Sequence, residues 1–170
     1  MADTYTLISS VTVGAGGASS IDFTSIPSTY TDLKLVASIR NVSYRQTIIK
    51  FNNSSANFTL KMLLGNGASA VSYDQAAFGY NMTGYVPLDG TDTANTFGSW
   101  ELYLPNYTSS NYKSGSFDVV SENNGTTAYA NMEAGLWSQT AAINQLTILP
   151  YGSVNFVQYS TAYLYGIKNS

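Results

Sequence analysis

The readiest acid–base groups in this sequence are ten carboxylates: Asp3, Asp22, Asp32, Asp74, Asp89, Asp92, Asp118, Glu101, Glu122 and Glu133. Two of them at a suitable separation would be enough to hydrolyse a glycoside. Their spacing singles out no pair. Turns and strand faces account for them, because Asp in turns satisfies local backbone groups. The chain has no histidine and no cysteine. Triads and dyads built on an imidazole base are therefore excluded, as are thiol nucleophiles, His-ligated metals, cysteine-zinc sites and disulfides. No enzyme is expected, with no catalytic, cofactor-binding or metal-ligating residue.

Three further patterns carry chemical meaning. Asp89-Gly90-Thr91-Asp92 sets two carboxylates in a run with spare carbonyl oxygens, the donor type that calcium takes. The EF-hand spacing is absent, and an Asp-Gly turn explains the run. Asn-x-Ser/Thr triplets start at Asn41, Asn52, Asn53, Asn57, Asn81, Asn106 and Asn124. They resemble glycan acceptors, but a chain this rich in Asn, Ser and Thr makes such triplets by chance. The tyrosines say more. Tyr73, Tyr80, Tyr85, Tyr107, Tyr112 and Tyr151 fall in loop-like stretches. Wide apolar rings with a polar tip suit interfaces and sugar stacking, so these six are the candidate interface or glycan contacts. Tyr159, Tyr163 and Tyr165 stand at strand spacing near the end of the chain, where ordinary packing is the expected role.

Composition sets the background. Ser, Thr and Asn fill 55 of 170 positions, 14 residues are Tyr, and only 10% are charged, for a net charge of −3. A basic stripe for nucleic acid is missing, and so is a basic patch for acidic lipid. The aromatic and β-branched content argues against disorder. The opening MADTYTLISS has neither a basic n-region nor an apolar h-region, so no signal peptide is expected. No window is long and apolar enough for a membrane helix. So few charges disfavour a free monomer and suit a surface covered by neighbours.

The elements that must position these residues are strands. Alternation of apolar and polar residues recurs from one end of the chain to the other. In residues 5–13, Tyr5, Leu7, Val11 and Val13 are expected on one face. In residues 32–40, Leu33, Leu35, Ala37 and Ile39 face in, while Lys34, Ser38 and Arg40 face out. Further strands are expected over 20–25, 47–52, 58–64, 97–104, 114–122, 127–137, 142–149 and 154–167. Residues 132–142 are the nearest approach to a helix, and Gly135 weighs against it. Residues 66–96 read as long loops with one or two short strands. Turn signals such as Gly65-Asn66-Gly67 and Asn124-Gly125 separate the runs. The sum is one all-β domain over residues 1–170, a two-sheet sandwich of jelly-roll-like type with about nine to eleven strands.

Three blocks also resemble a known group of proteins. They are TYTLISSVTVGAGGASSIDFTSIPSTYTDLKLVASIR, FGSWELYLPNYTSSNYKSGSFDVVSENNGTTAYANMEAGLWSQTAAINQLTI and FVQYSTAYLYGIKNS, together about two-thirds of the chain. They are similar to small structural proteins of tailed bacteriophages, of the marine and cyanobacterial phage type. GAGGA after a Val-Thr-Val strand and the LYGIKNS ending are the most specific pieces; residues 42–96 diverge. The resemblance implies a virion component and transfers no catalytic residue. The expectation is a non-enzymatic capsid decoration (cement) protein, assembled in the bacterial cytoplasm and located in the virion. Its partners would be the major capsid protein or other virion proteins and copies of itself, by analogy as a trimer, without nucleic acid or membrane. The alternative is a tail-fibre or receptor-binding module recognising host-surface glycans through the loop tyrosines.

Overall fold

The computed structural model describes residues 4–43, 46–74, 82–85, 91–125 and 128–169, with only the backbone described for 82–85. Twelve strands follow one another: β1 (Tyr5–Thr12), β2 (Ile21–Phe23), β3 (Asp32–Ile39), β4 (Gln46–Phe51), β5 (Phe58–Gly65), β6 (Ala70–Asp74), β7 (Met82–Tyr85), β8 (Gly98–Leu104), β9 (Lys113–Val120), β10 (Ala130–Trp137), β11 (Leu146–Pro150) and β12 (Thr161–Ile167). They form an eight-stranded sheet, in the order β1-β12-β3-β8-β9-β10-β5-β6, and a four-stranded sheet, β2-β11-β4-β7. The described pairings are all antiparallel. The two-sheet sandwich expected from the alternation is the architecture found. Among the described residues no helix is long and apolar enough to cross a membrane.

Period-two patterning sorts the side chains as pleat geometry requires. On the large sheet, Leu33, Leu35, Ala37 and Ile39 of β3, Trp100, Leu102 and Leu104 of β8, and Phe117 and Val119 of β9 point to the core. Ile21, Phe23, Ile49, Phe51, Leu146 and Ile148 of the small sheet meet them. Two aromatic groups fill the widest gaps. The Trp100 and Phe117 rings lie 5.8 Å apart, and Phe51, Phe58 and Trp137 lie within 6.0 Å of one another. Tilted and edge-on arrangements of this kind suit the ring quadrupoles. The segment suspected of helicity is β10, because burial alternates along Ala130–Trp137 at the strand period.

Three expectations are corrected. In β1 the register slips between Leu7 and Ser9. That bulge at Ile8 inserts one residue and reverses the alternation. Tyr5 and Leu7 therefore stand on the solvent face, while Val13 is buried. The last strand begins at Thr161, not at 154. Tyr159 has φ 72°, which no strand accommodates and a bulky residue seldom adopts. Its N–H is held by the Val13 carbonyl (2.9 Å), and a 3-10 turn occupies Tyr151–Ser153.

The third correction concerns Arg40. It does not face solvent. Its guanidinium is buried and donates to the carbonyl oxygens of Asp92 (3.1 Å), Thr93 (2.8 Å) and Thr96 (2.9 Å). The Arg40 backbone is clasped in turn by the buried Ser160 hydroxyl, which accepts from its N–H and donates to its carbonyl. One planar fork thus anchors the 91–96 segment to the end of β3. A lysine has one point charge and cannot span these carbonyls. Arg40→Met should cost about 3 kcal/mol, because the Asp92, Thr93 and Thr96 carbonyls lose their donor and the 91–96 segment its anchor. Arg40→Lys should recover only part of that, as read by urea denaturation; full recovery by lysine would show that charge alone matters.

Relief of backbone strain gives an opposite sign. Tyr159→Gly should raise stability by about 1 kcal/mol, since glycine adopts positive φ without a Cβ penalty. A loss in the same assay would mean that the exposed ring itself contributes.

Candidate functional site

The structure scatters the six loop tyrosines. Tyr107 is fully buried, and its hydroxyl donates to the Pro27 carbonyl. It is a core residue and not a contact, a correction that follows from the Pro105–Asn111 loop folding back over the sandwich end. Tyr112 is exposed just before β9, at the end where Ile143 N–H meets the Tyr107 carbonyl. Tyr151 is exposed just after β11, at the opposite end, near the Arg40 segment. Tyr73 lies exposed on β6, at the margin of the large sheet. Tyr80 and the side chain of Tyr85 lie outside the described residues. The described four do not converge on one cleft.

The other chemical patterns resolve into structural roles. Asp89 and Gly90 lie outside the described residues. The Asp92 carbonyl is engaged by Arg40, and one Asp92 carboxylate oxygen accepts from Asn123 (2.9 Å). A guanidinium thus takes the carbonyl oxygens that a calcium reading would use. Among the described residues, no group of three acidic side chains is placed to hold a metal. Among the triplet asparagines, Asn41 is buried. Asn52 binds Ala142, Asn144 and Gln145 across the β4–β11 end, and Asn53 exchanges amide hydrogen bonds with Gln145. Asn52, Asn53, Asn57, Asn95, Asn106 and Asn124 all have positive φ. The asparagine surplus is turn chemistry.

Lys113 is buried, and burial pulls its ammonium below the usual lysine value. It donates to the Ser109 (2.7 Å) and Asn111 (2.6 Å) carbonyls, closing its own loop. No substrate can reach it there.

What remains uncommitted is the outer face of the eight-stranded sheet. Cross-strand register reads it out in rows. One row runs Leu7, Tyr165, Lys34, Tyr103, Ser116. The next spans all eight strands: Ser10, Tyr163, Val36, Glu101, Asp118, Met132, Leu63, Ser72. Exposure along them is high for apolar groups: Met132 64%, Tyr5 53%, Leu7 51% and Leu63 51%. Tyr103, Tyr163 and Val120 are exposed beside them. Of the tyrosines expected to pack, Tyr163 faces solvent on this sheet and Tyr159 is exposed before β12. Sequence reasoning missed Tyr5, Leu7, Tyr103, Leu63 and Met132. The odd spacing of Leu63 and Met132 against their buried neighbours was the available signal.

The charged groups of this face include Lys61 and Asp74, paired across β5 and β6. Lys34 pairs with Glu101 (2.7 Å) and lies 5.9 Å from the Tyr5 ring centroid. The Glu101 hydrogen bond raises the Lys34 ammonium above its usual value, against the opposing effect of burial. At the lower rim, Asp32 is buried and accepts from the Tyr103 hydroxyl (2.8 Å), the Asn106 N–H (2.9 Å) and the Asn169 amide (2.9 Å). The bond to Asp32 raises the Tyr103 hydroxyl above its usual value; burial adds to this. The ring is thereby tied to the rim at its hydroxyl. Comparison with known proteins finds no matching family model, no matching curated protein and no matching solved structure.

The raised tyrosine value carries a sign. The folded state holds the proton that the unfolded chain releases near pH 10. The stabilisation is complete below about pH 10 and fades as pH rises through the raised value. Tyr103→Phe should therefore cost about 1 kcal/mol at pH 8, with the gap to the parent protein closing above pH 10. Urea melts across pH 8–11.5 check this, and a constant gap would remove Asp32 as the cause.

Proposed function

We propose that this protein is a non-enzymatic structural subunit of a tailed-phage virion, and specifically a capsid decoration protein. The observation that carries the reading is the uncovered outer face of the large sheet. Large apolar groups exposed together on one sheet face mark a place where another molecule packs. At about 4.8 Å per strand and 3.3 Å per residue, eight strands of about six residues present roughly 750 Å². This is close to the roughly 800 Å² that each partner gives to a standard protein interface. The resemblance of the three sequence blocks to phage structural proteins supports the virion context. A compact sandwich seated where capsid subunits meet would add buried area across their junctions, and many copies would sum weak contacts.

The glycan-binding alternative draws less support. Its four described tyrosines share no cleft, and a sugar site needs several groups converging on one ligand.

Purified particles should contain hundreds of copies of the chain by quantitative mass spectrometry. Particles lacking it should release their DNA at a lower temperature. A few copies per particle, or equal heat resistance with and without the chain, would overturn the decoration role.

A further inference from the structure

The charges on the open face point to the chemistry of what covers it. β8 and β9 are the fourth and fifth of eight strands, so their outward residues mark the middle of the face. There Glu101 and Asp118 stand directly opposite each other across the strand pair. Like charges at such positions repel. Lys34 answers Glu101. Asp118 is exposed and has no hydrogen bond or ion pair among the described residues. Apolar groups lie on both sides of this acidic centre. Tyr103, Tyr163, Tyr5 and Leu7 form one wing, and Val120, Met132 and Leu63 the other. The face thus has the plan of a protein interface with one term missing, a cation at its centre.

We infer that the occupant is a different protein, which lays an apolar surface over both wings and sets a lysine or arginine against Asp118. A second copy of this chain is the poorer fit. Two identical sheets stacked by a two-fold axis through the middle of the face would bring Glu101 and Asp118 of one copy against those of the other. The resulting four-carboxylate cluster has the two Lys34 ammonium groups beside it, while Lys61, two strands further out on the face, is paired with Asp74. A partner carrying a basic side chain instead completes the row and separates the wrong pairing from the right one. Arginine would do so with a planar fork that donates to both carboxylates. The inference rests on the virion reading and specifies what the chain sits upon.

The test uses particles complemented with variant chains. Asp118→Lys should lower occupancy at least tenfold, and Asp118→Asn several-fold, by quantitative mass spectrometry. Val42→Lys, exposed on the loop after β3, should leave it unchanged. The asparagine variant keeps the shape of the side chain and guards against a folding artefact, which melting temperatures of the free chains would reveal. A photo-crosslinker at position 132 should capture a peptide of another protein containing Lys or Arg. Full occupancy by Asp118→Lys and Asp118→Asn, or a crosslink to a second copy of this chain, overturns the inference while leaving the virion role standing. Absence of the parent chain from particles overturns the virion role itself, and this inference with it.

Discussion

The constraint on which this structure depends is an inequality between its sheets. Eight antiparallel strands expose two faces, and a four-stranded sheet covers one of them. Burial of the covered face supplies the main driving force, since apolar area removed from water stabilises by roughly 25 cal/mol per Å². Trp100, Phe117, Leu35, Ile148 and Phe51 lie on that side. The other face gains less from folding, through cross-strand contacts such as Lys34 with Glu101 and Tyr103 with Asp32. Its strands exist chiefly because their inward residues are buried, and the outward residues are carried along at the strand period.

Connectivity follows from the same inequality. The chain leaves the large sheet to lay down β2, β4, β7 and β11, and returns after each. Only β5–β6, β8–β9 and β9–β10 join as sequential neighbours in the large sheet. Each crossing turns a sandwich end, where backbone groups need partners away from any ladder. The neutral polar surplus is used there. Six Asn residues take positive φ in the connections. Asp32 gathers three donors at one end, and Arg40 gathers the 91–96 carbonyls at the other. These two ionic side chains do the work that extended hydrogen-bond ladders do inside the sheets.

Much of this was legible in the sequence, and the limits have physical causes. Alternation along β3, β8 and β9 identified their inward residues correctly, because each strand is unbroken and has one wet face. It failed along β1, where one bulged residue reverses both faces and leaves no mark in composition. It failed again before β12, where a left-handed tyrosine interrupts an otherwise alternating run. Arg40 read as outward because period two assigned it so. Its burial depends on a loop more than fifty positions away, which spacing cannot reveal. The tyrosines were recognised as the informative group, and Tyr73, Tyr112 and Tyr151 are exposed as expected, but two roles were exchanged. Tyr107 fills the core and Tyr163 faces out, because exposure depends on which face lacks a second sheet. Sheet size is a property of long-range pairing, and local patterning does not encode it.

The exchange of roles changes what the low charge of this chain means. A surface poor in charge can be neutral everywhere or can concentrate its few ions where they matter. Here Lys34, Glu101, Asp118 and Tyr103 form a band across the centre of the open face, flanked by apolar groups. Three of the four are fixed: Lys34 to Glu101, and Tyr103 to Asp32. Fixed side chains lose little entropy when a partner arrives, so more of the contact energy appears as affinity. Asp118 is the member left without a local partner. A face that is apolar at its wings and pre-ordered at its centre favours one docking register, because displacement would bury Asp118 against an apolar wing. Burying a carboxylate without a partner carries a high cost. The same charge that leaves the free surface incomplete therefore disfavours misplaced contacts, and an uncharged residue at that position would bind in more than one register.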